Sequence, residues 1–192
     1  DLVGFVLLTP LITVIGVALY LPVSVGFTLL VKWIAIGRYR PIRTPVWSVY
    51  YLRHWVTVQS ARLIPWPMLS GTVFQNAVLR LLGARIGRGV HIHRGVHLHR
   101  GGWDLLDIGD NVTLGQDAHL GLVELDRGDI VVGPIVIGND ATLQIRASVE
   151  HDCRIGAGSV IAPLSVLNAG GTIPPGELWD GVPARRVGLA PA

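Results

Sequence analysis

The chain has 192 residues, half of them hydrophobic, a net charge of +3 and one cysteine, Cys153. That length allows one well-buried core, or a small core plus a membrane segment, and argues against two large domains. A lone cysteine rules out an internal disulfide framework, and no Lys/Arg stripe interleaved with aromatics marks a nucleic-acid face.

Charge divides the chain. Through Arg100, eleven Lys and Arg stand against one acid, Asp1; from Gly101 onward there are five against twelve. The basic half adjoins the greasiest stretch, which suits a membrane surface. Leu2 to Val31 carries no charge, a run that as one helix is about 45 Å long, longer than a bilayer core. It reads as one tilted or kinked membrane helix with Pro10 and Pro22 as kinks or ends. A cleaved signal peptide is the alternative, disfavoured by length and by the lack of a basic start.

Next comes "KWIAIGRYRPIR", whose Lys32, Arg38, Arg40 and Arg43 beside Trp33 and Tyr39 fit a cytoplasmic membrane interface. The expectation is an inner or plasma membrane protein with its soluble body in the cytoplasm. "WSVYYLRHWVTVQSARLIPWP" then reads equally as an amphipathic segment along the headgroups or as an aromatic helix packed on the body. In "TVFQNAVLRLLGAR", Phe74, Val78, Leu81 and Leu82 have helical spacing and Gly83 is a C-cap signal. The expected division is a transmembrane segment over 1–37, an interfacial, amphipathic helical linker over 38–85, and a β-helix domain with its tail over 86–192.

From Ile86 the sequence falls into sixes: IGRGVH, IHRGVH, LHRGGW, an insert DLLD, then IGDNVT, LGQDAH, LGLVEL. After "DRGDIVVGPIV" the period resumes as IGNDAT, LQIRAS, VEHDCR, IGAGSV, IAPLSV, LNAGGT. Twelve hexads open on Ile, Leu or Val, which predicts a mainly β fold, a parallel β-helix of about four coils with three short strands per coil. The leading aliphatic points inward, and so does the small fifth residue, as in Val112, Ala118, Ala141, Cys153 and Ser159. Cys153 is thereby expected in the core rather than as a nucleophile.

Four of the seven histidines fall in "HIHRGVHLH". His91 and His93 flank inward Ile92, and His97 and His99 flank inward Leu98, so the four point outward from two successive faces and form no single cluster. Coil stacking sets His119 over His97, with Ser148 next in that column and His99 and Glu150 in a neighbouring one. Exposed strand positions are the favoured reading there; two or three imidazoles holding a divalent metal are the alternative.

From Leu79 on, "LRLLGARIG", "IGDNVTLG", "IGAGSVIAP" and "IPPGELWDGVPARRVG" resemble the hexapeptide-repeat acyltransferases, and the resemblance implies a left-handed β-helix. With the front, "VKWIAIGRYRPIRTPVWSVYYLRHW" and "APLSVLNAGGTIPPGELWDGVPARR" are similar to the C-terminal region of membrane-embedded nonribosomal peptide synthetases of the poly-lysine synthetase type. That likeness implies a hexapeptide domain beside membrane helices, joining amino-acid units delivered by a carrier domain. Many family members place a catalytic histidine in a loop projecting from the middle coils, and "LVELDRGDIVVGP" has none. Another branch, the sialic-acid and amino-sugar acetyltransferases, carries it in an "EHEC" or "EHDC" corner, matched by Glu150, His151, Asp152 and Cys153. That branch's second histidine, nine residues on, is Val160 here.

Acyl transfer from a thioester to an amine or hydroxyl needs a base and oxyanion donors. His151, with Asp152 or Glu150 to fix its tautomer, is the first candidate and His119 the second. The donor is expected to be an acyl thioester, on coenzyme A or a phosphopantetheinyl carrier, with no firm resident cofactor and no metal. Expected partners are the lipid bilayer, a carrier-protein domain and a homotrimeric or tandem β-helix neighbour. The competing readings are a non-catalytic docking β-helix of a membrane synthetase complex and a metal-dependent hydratase resembling the γ-class carbonic anhydrases.

Overall fold

The computed structural model describes residues 2–191, with side chains from residue 8 onward; Asp1, the first residue of the expected segment 1–37, lies outside the described residues. Helix α1 (Leu2–Ala35) runs unbroken through Pro10 and Pro22, so the prolines end nothing. From Leu8 to Tyr20 every residue of α1 is exposed. From Leu21 on, a stripe at helical spacing turns inward: Leu21, Val25, Thr28 and Lys32. This second half docks on α2 (Val49–Ala61), where the Thr28 hydroxyl donates to the Ser60 carbonyl at 3.0 Å.

Of the two readings for the aromatic segment, packing on the body describes α2. Ser48 caps it, accepting from the Tyr51 N–H, and His54, Thr57, Ser60 and Ala61 form its buried face. Trp47 and Trp55 remain outside. A short α3 (Trp66–Leu69) leads to α4 (Val73–Leu81), which lies against the first coil, with the Asn76 amide donating to the Val90 carbonyl. The covered side of this helix is Gln75, Val78, Leu79 and Leu82, so of the four residues at helical spacing Val78 and Leu82 are buried and Phe74 and Leu81 are exposed. Gly83 ends the helix as expected, in a Schellman closure with Gly83 N–H to Arg80 and Ala84 N–H to Leu79.

The body is a parallel β-helix with three faces. One stacks Ile86, Ile108, Ile137, Ile155 and Ile173; the second Ile92, Leu114, Leu143, Ile161 and Trp179. On the third, Leu120, Val149 and Leu167 are paired in register. All the aliphatic members of these stacks are buried, as are the small fifth residues from Val90 to Ser165. The fourth residue of the hexad turns each corner in the left-handed region, whether glycine or Asn111, Asp117, Asp140, Arg146, Asp152 and Leu164. The insert forms a 3-10 turn, Trp103–Leu105, whose fully buried indole donates to the Leu98 carbonyl.

Two corrections follow for the N-terminal half. The segment "LVELDRGDIVVGP" is a β-hairpin, Val123–Asp126 with Asp129–Val132, and a third antiparallel strand, Ile42–Pro45, joins it from the stretch expected to be a helical linker. Arg43 fastens this sheet by bonding Asp126 and Asp129. Lys32, expected beside the arginines at a membrane surface, is buried and paired with Asp104 at 2.8 Å. Asp104 also accepts from the Tyr39 N–H, so the basic end of α1 is tied into the insert of the first coil. The Tyr39 hydroxyl in turn lies 3.1 Å from the His54 Nδ1, and burial drives the Tyr39 pKa up. A side chain at Gly101 would collide with both rings, and glycine there lets the coil approach them.

Candidate active site

The corner Glu150–Asp152 follows the third-face strand Ser148–Val149 and lies beneath the root of the hairpin, because Asp152 contacts the position where Gly133 would carry a Cβ. His151 and Asp152 are the third and fourth residues of their hexad, so the imidazole lies across the turn. Its Nδ1 is 2.9 Å from Asp152 Oδ2. A carboxylate can only accept, which places the proton on Nδ1 and leaves Nε2 with a free lone pair. His151 is mostly covered, its side chain 17% exposed, and Asp152 is half-exposed. Glu150 points the other way along the coil and accepts from the Ala169 N–H at 2.8 Å, a structural role in the next corner.

His119 is on the third face, paired in register with Ser148, and it lines a cleft of about 650 Å³. The cleft lies between α2, the hairpin and the coil, with Glu124, Arg100, Arg62, Tyr51 and His54 around it. Burial, followed by the positive Arg100 and His97, holds the His119 pKa below the usual histidine range. Glu124 moves the other way: burial and the charge of Glu150 push its carboxyl up, and His151 opposes them. Glu124 lines the cleft of His119, and His151 is not among the residues that line it. A second cleft of about 780 Å³, sharing Arg62, has Trp66, Arg94, His97 and His99 on its walls.

Of the predicted residues, then, His151 and Asp152 form a bonded pair, His119 borders the cleft, and Glu150 serves the backbone. Glu124, Arg100 and Arg62 were not singled out from the sequence. Glu124 occupies a hexad's fifth position, where a small inward residue is the rule, and that breach was its one signal. Cys153 is buried, its Sγ 3.2 Å from the Asn168 carbonyl, and burial pushes the thiol up to about 11, as a core residue requires. The outward histidines pair by edge contact, His91 with His93 and His97 with His99. Among the described residues no group of three or more His, Cys, Asp or Glu could hold a metal ion.

Residues 134–169 match the family described as bacterial transferase hexapeptide (six repeats), and the chain carries that family's repeat on its β-helix, a left-handed one. Its likeness to one relative reaches further. Over 160 residues, 83% of the chain, it is 30% identical to a delta-poly-L-ornithine synthetase from Acinetobacter baumannii (strain AB307-0294). The chain spans 11% of the length of that relative. Among solved structures it resembles a maltose O-acetyltransferase from Clostridium difficile 630, with a TM-score of 0.54 and 17% identity over 79% of this chain and 94% of that one. A hexapeptide-repeat acetyltransferase from Vibrio cholerae O1 biovar eltor, complexed with acetyl coenzyme A, gives 0.52 and 18% over 77% and 92%. At these identities the two structures speak for the fold.

Proposed function

We propose that this chain is a membrane-anchored transferase domain that moves an acyl or aminoacyl group from a thioester to an amine or hydroxyl, within or beside a nonribosomal peptide synthetase. The observation that carries the reading is the His151–Asp152 hydrogen bond at the corner beneath the root of the hairpin, whose Glu124 lines the separate cleft of His119. The solved acetyltransferase that binds acetyl coenzyme A and the likeness to a poly-ornithine synthetase support a thioester donor and an amine acceptor.

Nε2 of His151 removes the proton of the acceptor as its nitrogen or oxygen attacks the thioester carbonyl. Asp152 holds the ring and stabilises the imidazolium that results. The tetrahedral intermediate collapses, the carbon–sulfur bond breaks, and the departing thiolate takes the proton back from Nε2.

α1 anchors this domain, with Arg38, Arg40 and Arg43 on the cytoplasmic side, in keeping with the one helix among the described residues, Leu8–Ala35, that is long and apolar enough to cross a bilayer. The test is turnover: purified protein is given acyl coenzyme A and aminoacyl-pantetheine thioesters with candidate amines. Free thiol release matched by a mass increase on the amine is expected. Failure with every thioester favours the docking β-helix, for which the lack of a histidine in the hairpin speaks.

A further inference from the structure

α3 and α4 belong to a stretch without a single charge, Leu63 to Leu79, bounded by Arg62 and Arg80. Its buried members, Ile64, Leu69, Val78 and Leu79 with the polar Gln75, lie over the first coil. Among those that face out, four are large and apolar. Leu63, Met68, Val73 and Phe74 are 47%, 60%, 76% and 65% exposed. A patch of this kind at the end of a β-helix needs a cover.

One contact fixes the level of this patch along α1. The Tyr20 hydroxyl donates to the Leu63 carbonyl at 2.7 Å, which sets the start of the stretch beside the point where α1 leaves the body. α1 is exposed on every side from Leu8 to Tyr20 and turns a face to the body only from Leu21 on. Tyr20 and Leu63 therefore mark the level at which the all-round apolar part of α1, the part suited to lipid, meets the body. Arg80 is no obstacle, since its guanidinium donates to the Ile86 and Gly87 carbonyls on the coil.

Resting on the reading of α1 as a membrane anchor, we propose that the α3–α4 end of the β-helix sits in the bilayer surface. Leu63, Met68, Val73 and Phe74 make the lipid contact, and the β-helix stands on the membrane by its first coil. The opposite end, the Glu177–Asp180 and Arg185–Leu189 hairpin, points away into water. The cleft lined by Trp66, Arg94 and His97 opens beside the lipid surface.

The test uses the full chain with Cys153→Ser as background, a change the fully buried Ser159 and Ser165 at equivalent positions show the core accepts. Single cysteines at Leu11, Met68, Phe74 and Val187 carry a nitroxide in phosphatidylethanolamine/phosphatidylglycerol vesicles. Collision with oxygen is compared with collision with a nickel chelate. Leu11, Met68 and Phe74 are expected to favour oxygen several-fold over Val187. Water-like values at Met68 and Phe74 with a lipid-like Leu11 would overturn this inference and leave the anchor standing. A water-like Leu11 would overturn both. Low collision with either agent at Met68 and Phe74 would mean a protein cover and also refute the lipid contact.

Discussion

The β-helix and the joint that fastens α1 to it are held by opposite kinds of contact. In the β-helix each coil repeats the last, and an aliphatic side chain sits on its neighbours above and below, each burial contributing about 1.5–3 kcal/mol. No member of the stack is special. The joint adds to the packing of Leu21, Val25 and Leu29 a set of single, polar contacts: Thr28 to Ser60, Lys32 to Asp104, Asp104 to the Tyr39 N–H, Tyr39 to His54. Nothing in it repeats, and each contact depends on the next. A repeated apolar core should therefore fail when charged anywhere, whereas the joint should fail when one partner is removed.

The largest effect is expected in the stack. Ile155→Asp buries a carboxylate among Ile137, Ile173 and their neighbours, at a cost of about 5 kcal/mol or more. Circular dichroism and soluble yield should show a protein that does not fold, and a stable β-rich variant would refute the register. In the joint, Asp104→Ala leaves Lys32 charged, covered and alone, a loss of about 3–5 kcal/mol. Asp104→Asn keeps an acceptor for the Tyr39 N–H and should cost less. Thermal unfolding in detergent with proteolysis between α1 and the body separates the two.

The joint should also respond to acid where the stack does not. Burial lowers the His54 pKa from 6.5 to about 4, so the folded ring stays neutral while the unfolded one takes up a proton. Its contribution is intact above pH 6.5, falls away between 6.5 and 4, and is flat below; the loss is about 3 kcal/mol over that window. His54→Phe should remove this slope from the stability–pH curve. The smallest effect belongs to Arg43→Ala, which breaks exposed ion pairs to Asp126 and Asp129 and should leave the melting temperature unchanged.

This contrast also governs what could be read from the chain. The six-residue period exposed the inward column from Ile86 to Leu167 and the corner that holds His151, because repetition averages over every coil. The strand Ile42–Pro45 was hidden, since its partner lies nearly ninety residues away and four residues carry no period of their own. Lys32 next to three arginines looked like one more interfacial cation; its partner Asp104 is a single residue in a four-residue insert. The spacing of Phe74, Val78, Leu81 and Leu82 marked a helix but not its buried side, since Val78 and Leu82 are covered while Phe74 and Leu81 are exposed. At the site, the "EHDC" corner was legible as chemistry, but the cleft was not: Arg62, Arg100 and Glu124 come together from α2, the end of the first coil and the hairpin.

The measurement closest to the central claim compares acyl transfer and melting temperature for wild type and His151→Ala in the same preparations. His151 lies at a corner, outside the aliphatic stack, so its loss leaves no cavity in the core. Transfer from the thioester should fall by about two to four orders of magnitude with the melting temperature unchanged, and Asp152→Asn should fall less. Wild-type turnover that survives His151→Ala at full rate would contradict the assignment and move the base to His119.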